Sequence, residues 1–151
     1  MPSPRKIVLN DTVLFVTTSV EEGFMFPPNP LINLLLLSCL TKAQSHHPVS
    51  VSHFNVEATH IHMLLYVSNP DDVKGFMERF KTESAHAVNR LLGRKKRTIW
   101  CEGYDSPVIL DAATAQKKIV YIYENPAKDS LVDSIELYPG ISSWSHFKIG
   151  A

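Results

Sequence analysis

Cysteine is scarce in this sequence: Cys39 and Cys101 are the only two, and they form no Cys-x-x-Cys pair. That is too few for a disulfide framework and suits a reducing compartment. Net charge is absent as well, with fifteen Lys and Arg against fifteen Asp and Glu. A uniformly basic nucleic-acid coat protein is thereby excluded, although the distribution of charge stays open. No long hydrophobic run occurs. Residues 31–40 are the longest apolar stretch, interrupted by Asn33 and Ser38, and fall well short of the roughly 20 residues that a membrane helix needs. The amino terminus, Met-Pro-Ser-Pro-Arg-Lys, leads into a strand-like run rather than a signal-peptide core. Internal repeats and low-complexity tracts are missing too, so a soluble, cytoplasmic protein is expected. What remains is an ordinary globular composition, 44% hydrophobic and 20% charged over 151 residues, which is enough for a single domain spanning 1–151. The end at Ala151 leaves room for a longer parent chain.

Residues 12–20, rich in Val, Thr and Phe, predict a first strand. Asn29-Pro30 provides an N-cap followed by proline at the first helical position, opening an apolar helix over 31–43. Two strand-like runs follow, Val49–Val56 and His60–Val67, separated only by Glu57-Ala58-Thr59, as in an antiparallel hairpin. A hairpin centred on Ala58 pairs His53 with Met63 and turns His53 away from His60 and His62. Asn69-Pro70 repeats the helix-opening device, with Asp71 and Asp72 at the positive end of the dipole. From there apolar residues at 73, 76, 77, 80, 87, 88 and 91 trace one face of a long helix that stops at Gly93. Residues 98–110 read as an extended segment around Trp100 and Tyr104. Asp111 caps a third helix over 112–124, which Asn125-Pro126 should end, because proline disfavours helical geometry in the residue before it. A short helix near 130–135 and a turn at Tyr138-Pro139-Gly140 complete the reading. Since a hairpin sits where a doubly wound sheet needs a crossover, the expected class is α+β, a central antiparallel sheet with packed helices.

Strand side chains alternate in direction, so His60 and His62 share a face while Ile61 points to the other. Two imidazoles side by side can hold a divalent cation with a third ligand from elsewhere, or simply form a polar strand face. On the third helix Tyr121 and Asn125 are four residues apart and share a face, with Lys117 and Lys118 one turn earlier. A phenol, a neutral oxygen ligand and positive charge together are what a tyrosine nucleophile acting on a phosphodiester requires. The same residues also suit an amphipathic tyrosine at the core edge and a helix C-cap before proline. Tyr123, two positions on, is turned about 200° from Tyr121. Residues 74–97 hold eight basic and two acidic residues, a local excess in an otherwise neutral chain. Such a segment can track a phosphate backbone or form a solvated helix face and linker. Its candidate DNA contacts are Lys74, Lys81, Arg94, Lys95, Lys96 and Arg97, to which the third helix adds Lys117 and Lys118.

Taken in order, His60-Ile61-His62, Phe80-Lys81, Asn89-Arg90, Gly93, Trp100, Tyr121-Ile122 with Asn125-Pro126, and Tyr138-Pro139-Gly140 with Ser142-Ser143-Trp144 resemble the single-tyrosine HUH transposases, in particular the REP-associated tyrosine transposases. The resemblance covers most of the chain. The histidine pair has that family's His-hydrophobic-His form, and Tyr121 opens its Tyr-x-x-x-Asn-Pro signature. A ferredoxin-like HUH endonuclease fold is implied, with the sheet carrying the histidines and a helix carrying the tyrosine. Also implied are cutting and rejoining of single-stranded or hairpin DNA, with Tyr121 as the nucleophile that forms a 5′-phosphotyrosine. One Mg²⁺ or Mn²⁺ would be held by His60, His62 and the side-chain oxygen of Asn125. Two segments depart from the family pattern. Glu57-Ala58-Thr59 stands where Met-Pro-Asn or Met-Pro-Asp is common, and Ala127-Lys128-Asp129-Ser130-Leu131-Val132 where Val-x-Ala-Gly-Leu-Val is usual. The alternatives are a catalytically inactive DNA-binding relative and a small metalloprotein unrelated to DNA. Monomer and homodimer both remain open.

Overall fold

The computed structural model describes residues 12–27 and 29–128, with side chains through Glu124. In chain order the elements are β1 (Thr12–Ser19), α1 (Pro30–His46), β2 (Val49–Val56), β3 (His60–Val67), α2 (Asp72–Leu92), β4 (Val108–Ile109) and α3 (Ala112–Lys128). The strands form one antiparallel sheet in the order β2-β3-β1-β4. This is the expected α+β class with split βαβ, ferredoxin-like connectivity. The period of two along β3 sorts its side chains between two layers. Ile61, Met63, Leu65 and Val67 enter the large core with α1 and α2, while Leu64 joins Phe15, Ile109, Ile122 and Tyr123 beneath α3. The histidines therefore lie on the α3 side of the sheet.

Asn29 caps α1 as expected, its side chain accepting from the Leu31 N–H at 2.8 Å, and the helix runs on to His46. In α2 the stripe of Val73, Phe76, Met77, Phe80 and Val88 is buried, with Ser84 and Ala85 filling the turn between. Full burial of Phe76 and Phe80 stabilises the fold by about 1.5–3 kcal/mol each. Leu91 instead emerges at the helix end, 41% exposed. Gly93 terminates the helix in the left-handed region (φ 71°), a conformation in which any Cβ is strained.

Three expectations are corrected. First, the extended segment expected over 98–110 is a strand only near its end: Val108–Ile109 pairs regularly with β1, and upstream the chain meets β1 and the residue after it through isolated bridges, Thr17 with Asp105 and Val20 with Trp100. Pro107, with no N–H to give a ladder, interrupts the run; its carbonyl accepts from the Phe15 N–H at 3.0 Å. Second, α3 does not stop at Glu124 but continues through Pro126 to Lys128. Proline costs the helix one backbone donor there, while the preceding turn is anchored by buried Ile122 and Tyr123.

The third correction is the hairpin register. The Glu57 N–H donates to the His60 carbonyl at 2.8 Å, closing a two-residue turn at Ala58-Thr59. Asn55 then stands opposite His62, Phe54 opposite Met63, and His53 opposite Leu64 rather than Met63. Beyond a β-bulge between Val51 and His53, the outer half returns to the pairing that a hairpin centred on Ala58 gives, Val51 opposite Leu65. A one-residue shift turns every side chain over, so His53 shares the face of His60 and His62. The helix expected near 130–135, the Tyr138-Pro139-Gly140 turn and Ser142-Ser143-Trp144 lie outside the described residues. No helix among the described residues is long and apolar enough to cross a membrane.

Candidate active site

His60 and His62 stand side by side, their ring centroids 4.6 Å apart. Each has its Nδ1 engaged by a threonine hydroxyl, His62 with Thr17 Oγ1 at 3.0 Å and His60 with Thr59 Oγ1 at 3.1 Å. The tautomer in which Nδ1–H donates to the hydroxyl leaves the lone pair on Nε2, the arrangement by which a neighbouring oxygen orients a metal-binding imidazole. Across the turn Glu57, only 1% exposed, brings Oε2 within 3.1 Å of His60 Nε2. One ligating atom from each of Glu57, His60 and His62 lies within 4.8 Å of the others. Two imidazole nitrogens and a carboxylate oxygen fit a divalent cation such as Mn²⁺, and the buried carboxylate needs neighbouring positive charge. Opposite His62, Asn55 is wholly buried, and neither its Nδ2 nor its Oδ1 has a hydrogen-bond partner among the described residues.

α3 begins at Asp111, whose carboxylate accepts from the Thr114 N–H at 2.7 Å; hydrogen bonding from Thr114 holds that carboxyl below the usual range. The stripe Ala115, Ile119 and Ile122 packs on Phe15, Leu64 and Ile109. The two tyrosines flank this stripe. Tyr121, 37% exposed, sets its ring edge-on to His62 at 5.3 Å and to Phe15 at 6.0 Å, while Phe15 stacks on His62 at 5.6 Å. Tyr123 is buried on the other flank, its hydroxyl 2.8 Å from His53 Nδ1, and burial pushes the His53 imidazole below its ordinary pKa. Lys118 Nζ lies 4.8 Å from the Phe15 ring centroid and 5.8 Å from that of Tyr121. Lys117 is exposed on the same helix. Asn125 follows Tyr121 by one turn of α3, but its side chain lies outside the described residues.

The structure divides the other candidate cations. Lys81 donates to the carbonyls of Cys101 and Gly103 at 2.8 and 2.7 Å, and burial lowers its pKa. Arg94 donates to Asn89 Oδ1 at 2.6 Å and to Glu21 Oε2 at 2.8 Å, and lies over the Phe24 ring. Both are partly exposed and tied to neighbouring protein groups. Lys74, Lys95, Lys96 and Arg97 are exposed. The loop carrying the last three lies at the histidine end of β1, where Val20 N–H donates to the Thr59 carbonyl and Glu21 N–H to that of Ile99, both at 2.8 Å.

Sequence reasoning missed Glu57 and Asn55. The signal for both is cross-strand: a two-residue turn at Ala58-Thr59 makes Glu57 the partner of His60 and Asn55 the partner of His62.

The family model for IS200-like transposases matches residues 29–125. A solved REP-associated tyrosine transposase bound to a REP hairpin is similar over 89% of this chain and 78% of its own, with 20% identity and a TM-score of 0.73. A Deinococcus radiodurans protein assigned as a transposase aligns over 72% of this chain and 86% of its own, at 12% identity and a TM-score of 0.49. No curated protein matches the sequence significantly.

Proposed function

The chain belongs to the IS200-like transposase family, and we propose that it cleaves and rejoins single-stranded or hairpin DNA through a covalent bond to Tyr121. The observation that carries this reading is the placement of a tyrosine, 37% exposed, edge-on to His62, beside a Glu57–His60–His62 donor cluster in which Glu57 and His62 are buried. In the proposed step the Tyr121 oxygen attacks the scissile phosphorus, the new O–P bond replaces the bond to the 3′ oxygen, and the 3′ hydroxyl departs with a proton. The 5′-phosphotyrosine conserves the bond energy, so another 3′ hydroxyl can reverse the reaction and join a new strand. His60 and His62, held by Thr59 and Thr17, would bind a divalent ion, Mg²⁺ or Mn²⁺, together with Glu57 and, by the family pattern, Asn125. When bound, such an ion supplies Lewis-acid polarisation of a non-bridging phosphate oxygen. Lys118, with its Nζ 5.8 Å from the Tyr121 ring centroid, offers positive charge to the developing phosphate. The exposed Lys74, Lys95, Lys96 and Arg97, with Lys117, provide phosphate contacts, and the expected setting is the cytoplasm.

The test is incubation of the full chain with hairpin and linear single-stranded oligonucleotides in Mn²⁺, followed by denaturing electrophoresis. A band that resists denaturant and disappears on protease treatment is expected. Its absence on every substrate would favour a binding-only relative.

A further inference from the structure

On the histidine face of the hairpin, Glu57 stands across from His60 and Asn55 across from His62. Directly opposed residues in an antiparallel pair hold their Cβ atoms about 4.5–5.5 Å apart, so the Asn55 amide shares the space beside the His62 ring. Asn55 is 0% exposed, and both of its polar atoms lack hydrogen-bond partners among the described residues. Buried amides are almost always satisfied, and an apolar side chain would fill the position without leaving two polar atoms unmatched. The Thr17 hydroxyl, in register with His62 on β1, is engaged with His62 Nδ1. A ligand that needs an oxygen would account for an asparagine in this place.

We propose that Asn55 supplies its side-chain oxygen to the divalent cation of the Glu57–His60–His62 cluster, an assignment that rests on reading those three residues as the metal site. A carbonyl-type oxygen suits Mg²⁺ and Mn²⁺. Being neutral, it adds a donor without adding repulsion against the buried Glu57 carboxylate.

Calorimetric titration with Mn²⁺ alone, on the full chain and without DNA, tests this. Asn55→Leu should bind Mn²⁺ at least tenfold more weakly than wild type, while its melting temperature without the ion stays equal or rises, because the unmatched amide is gone. Asn55→Asp, which keeps an oxygen in place and charges it, should bind at least as tightly as wild type; it carries the test if the leucine variant does not fold. Unchanged affinity in Asn55→Leu, the result if Asn55 only holds a buried water, overturns the proposal, as does weakened affinity in folded Asn55→Asp. His62→Ala separates the two layers of inference. Loss of Mn²⁺ binding there with none in Asn55→Leu overturns the Asn55 assignment alone, whereas a wild-type protein that binds no Mn²⁺ overturns the site reading with it.

Discussion

Tyr121 and Tyr123 sit two residues apart on α3 in opposite circumstances, and the difference assigns them separate roles. Tyr121 keeps 37% of its surface exposed beside His62, whereas Tyr123 is buried with its hydroxyl committed to His53. Tyr121→Phe should therefore fold normally, since the ring packing survives, yet form no protein–DNA adduct, because the phenyl ring has no atom that can attack phosphorus. Tyr123→Phe should form the adduct but lose about 1 kcal/mol of stability with its hydrogen bond. Gel analysis of adducts and urea unfolding of both variants check the pair; an adduct on Tyr121→Phe would place the nucleophile elsewhere. For the donor cluster, His60→Ala and His62→Ala should each lower Mn²⁺ affinity by calorimetry. Equal affinity in wild type and both variants would move the ion to another site. These residues were legible in sequence because i,i+2 on a strand and i,i+4 on a helix fix a shared face without knowledge of pairing. Glu57 and Asn55 were not, because their significance depends on which residue faces them across the hairpin.

At the level of elements, that hairpin shows where local signals stop. Its two strands are marked by β-branched residues and a short connection, so their limits could be read, but pairing depends on the turn geometry and on the bulge between Val51 and His53. The bulge lets the outer half follow a hairpin centred on Ala58 while the inner half follows the Glu57–His60 closure, and only the inner half carries the site. Helix ends were similarly uneven. Asn29 and Gly93 act through their own side chain and backbone, whereas the stop expected at Asn125-Pro126 was overridden by packing of the preceding turn. The register places His53 under α3, with a consequence for pH. Burial lowers its folded pKa, so the unfolded chain takes up a proton near the ordinary value of about 6.5 while the folded protein does not. Stability should accordingly fall as pH drops below about 6.5 towards the folded pKa, and this part of the dependence should vanish in His53→Gln. Urea midpoints measured across pH 7.5 to 5.5 check it, and an identical slope in the variant would assign the effect to another group.

Across the whole molecule, zero net charge conceals an ordered separation between cations that build the fold and cations that face solvent. Asn89, buried at the end of α2, donates to the carbonyls of Lys96 and Thr98 at 2.9 and 3.2 Å and accepts from Arg94. Trp100 Nε1–H donates to Ser84 at 3.0 Å and fastens the following segment to the same helix. The basic loop is thus templated from within, and its exposed Lys95, Lys96 and Arg97 are presented at the sheet end that carries His60. Changing these three to Gln should weaken binding of all single-stranded sequences about equally and flatten the salt dependence, by roughly 0.7 in the log–log slope for each phosphate no longer neutralised. Lys81→Gln is the informative contrast. Its ammonium ties α2 to the Cys101 and Gly103 carbonyls, so the variant should lower stability and leave the salt slope near wild type. Binding measured between 50 and about 200 mM salt, the range over which phosphate-driven affinity changes steeply, separates the two. An unchanged slope in the triple variant would show that the basic loop does not follow the DNA backbone, and a reduced slope in Lys81→Gln would return that lysine to the interface.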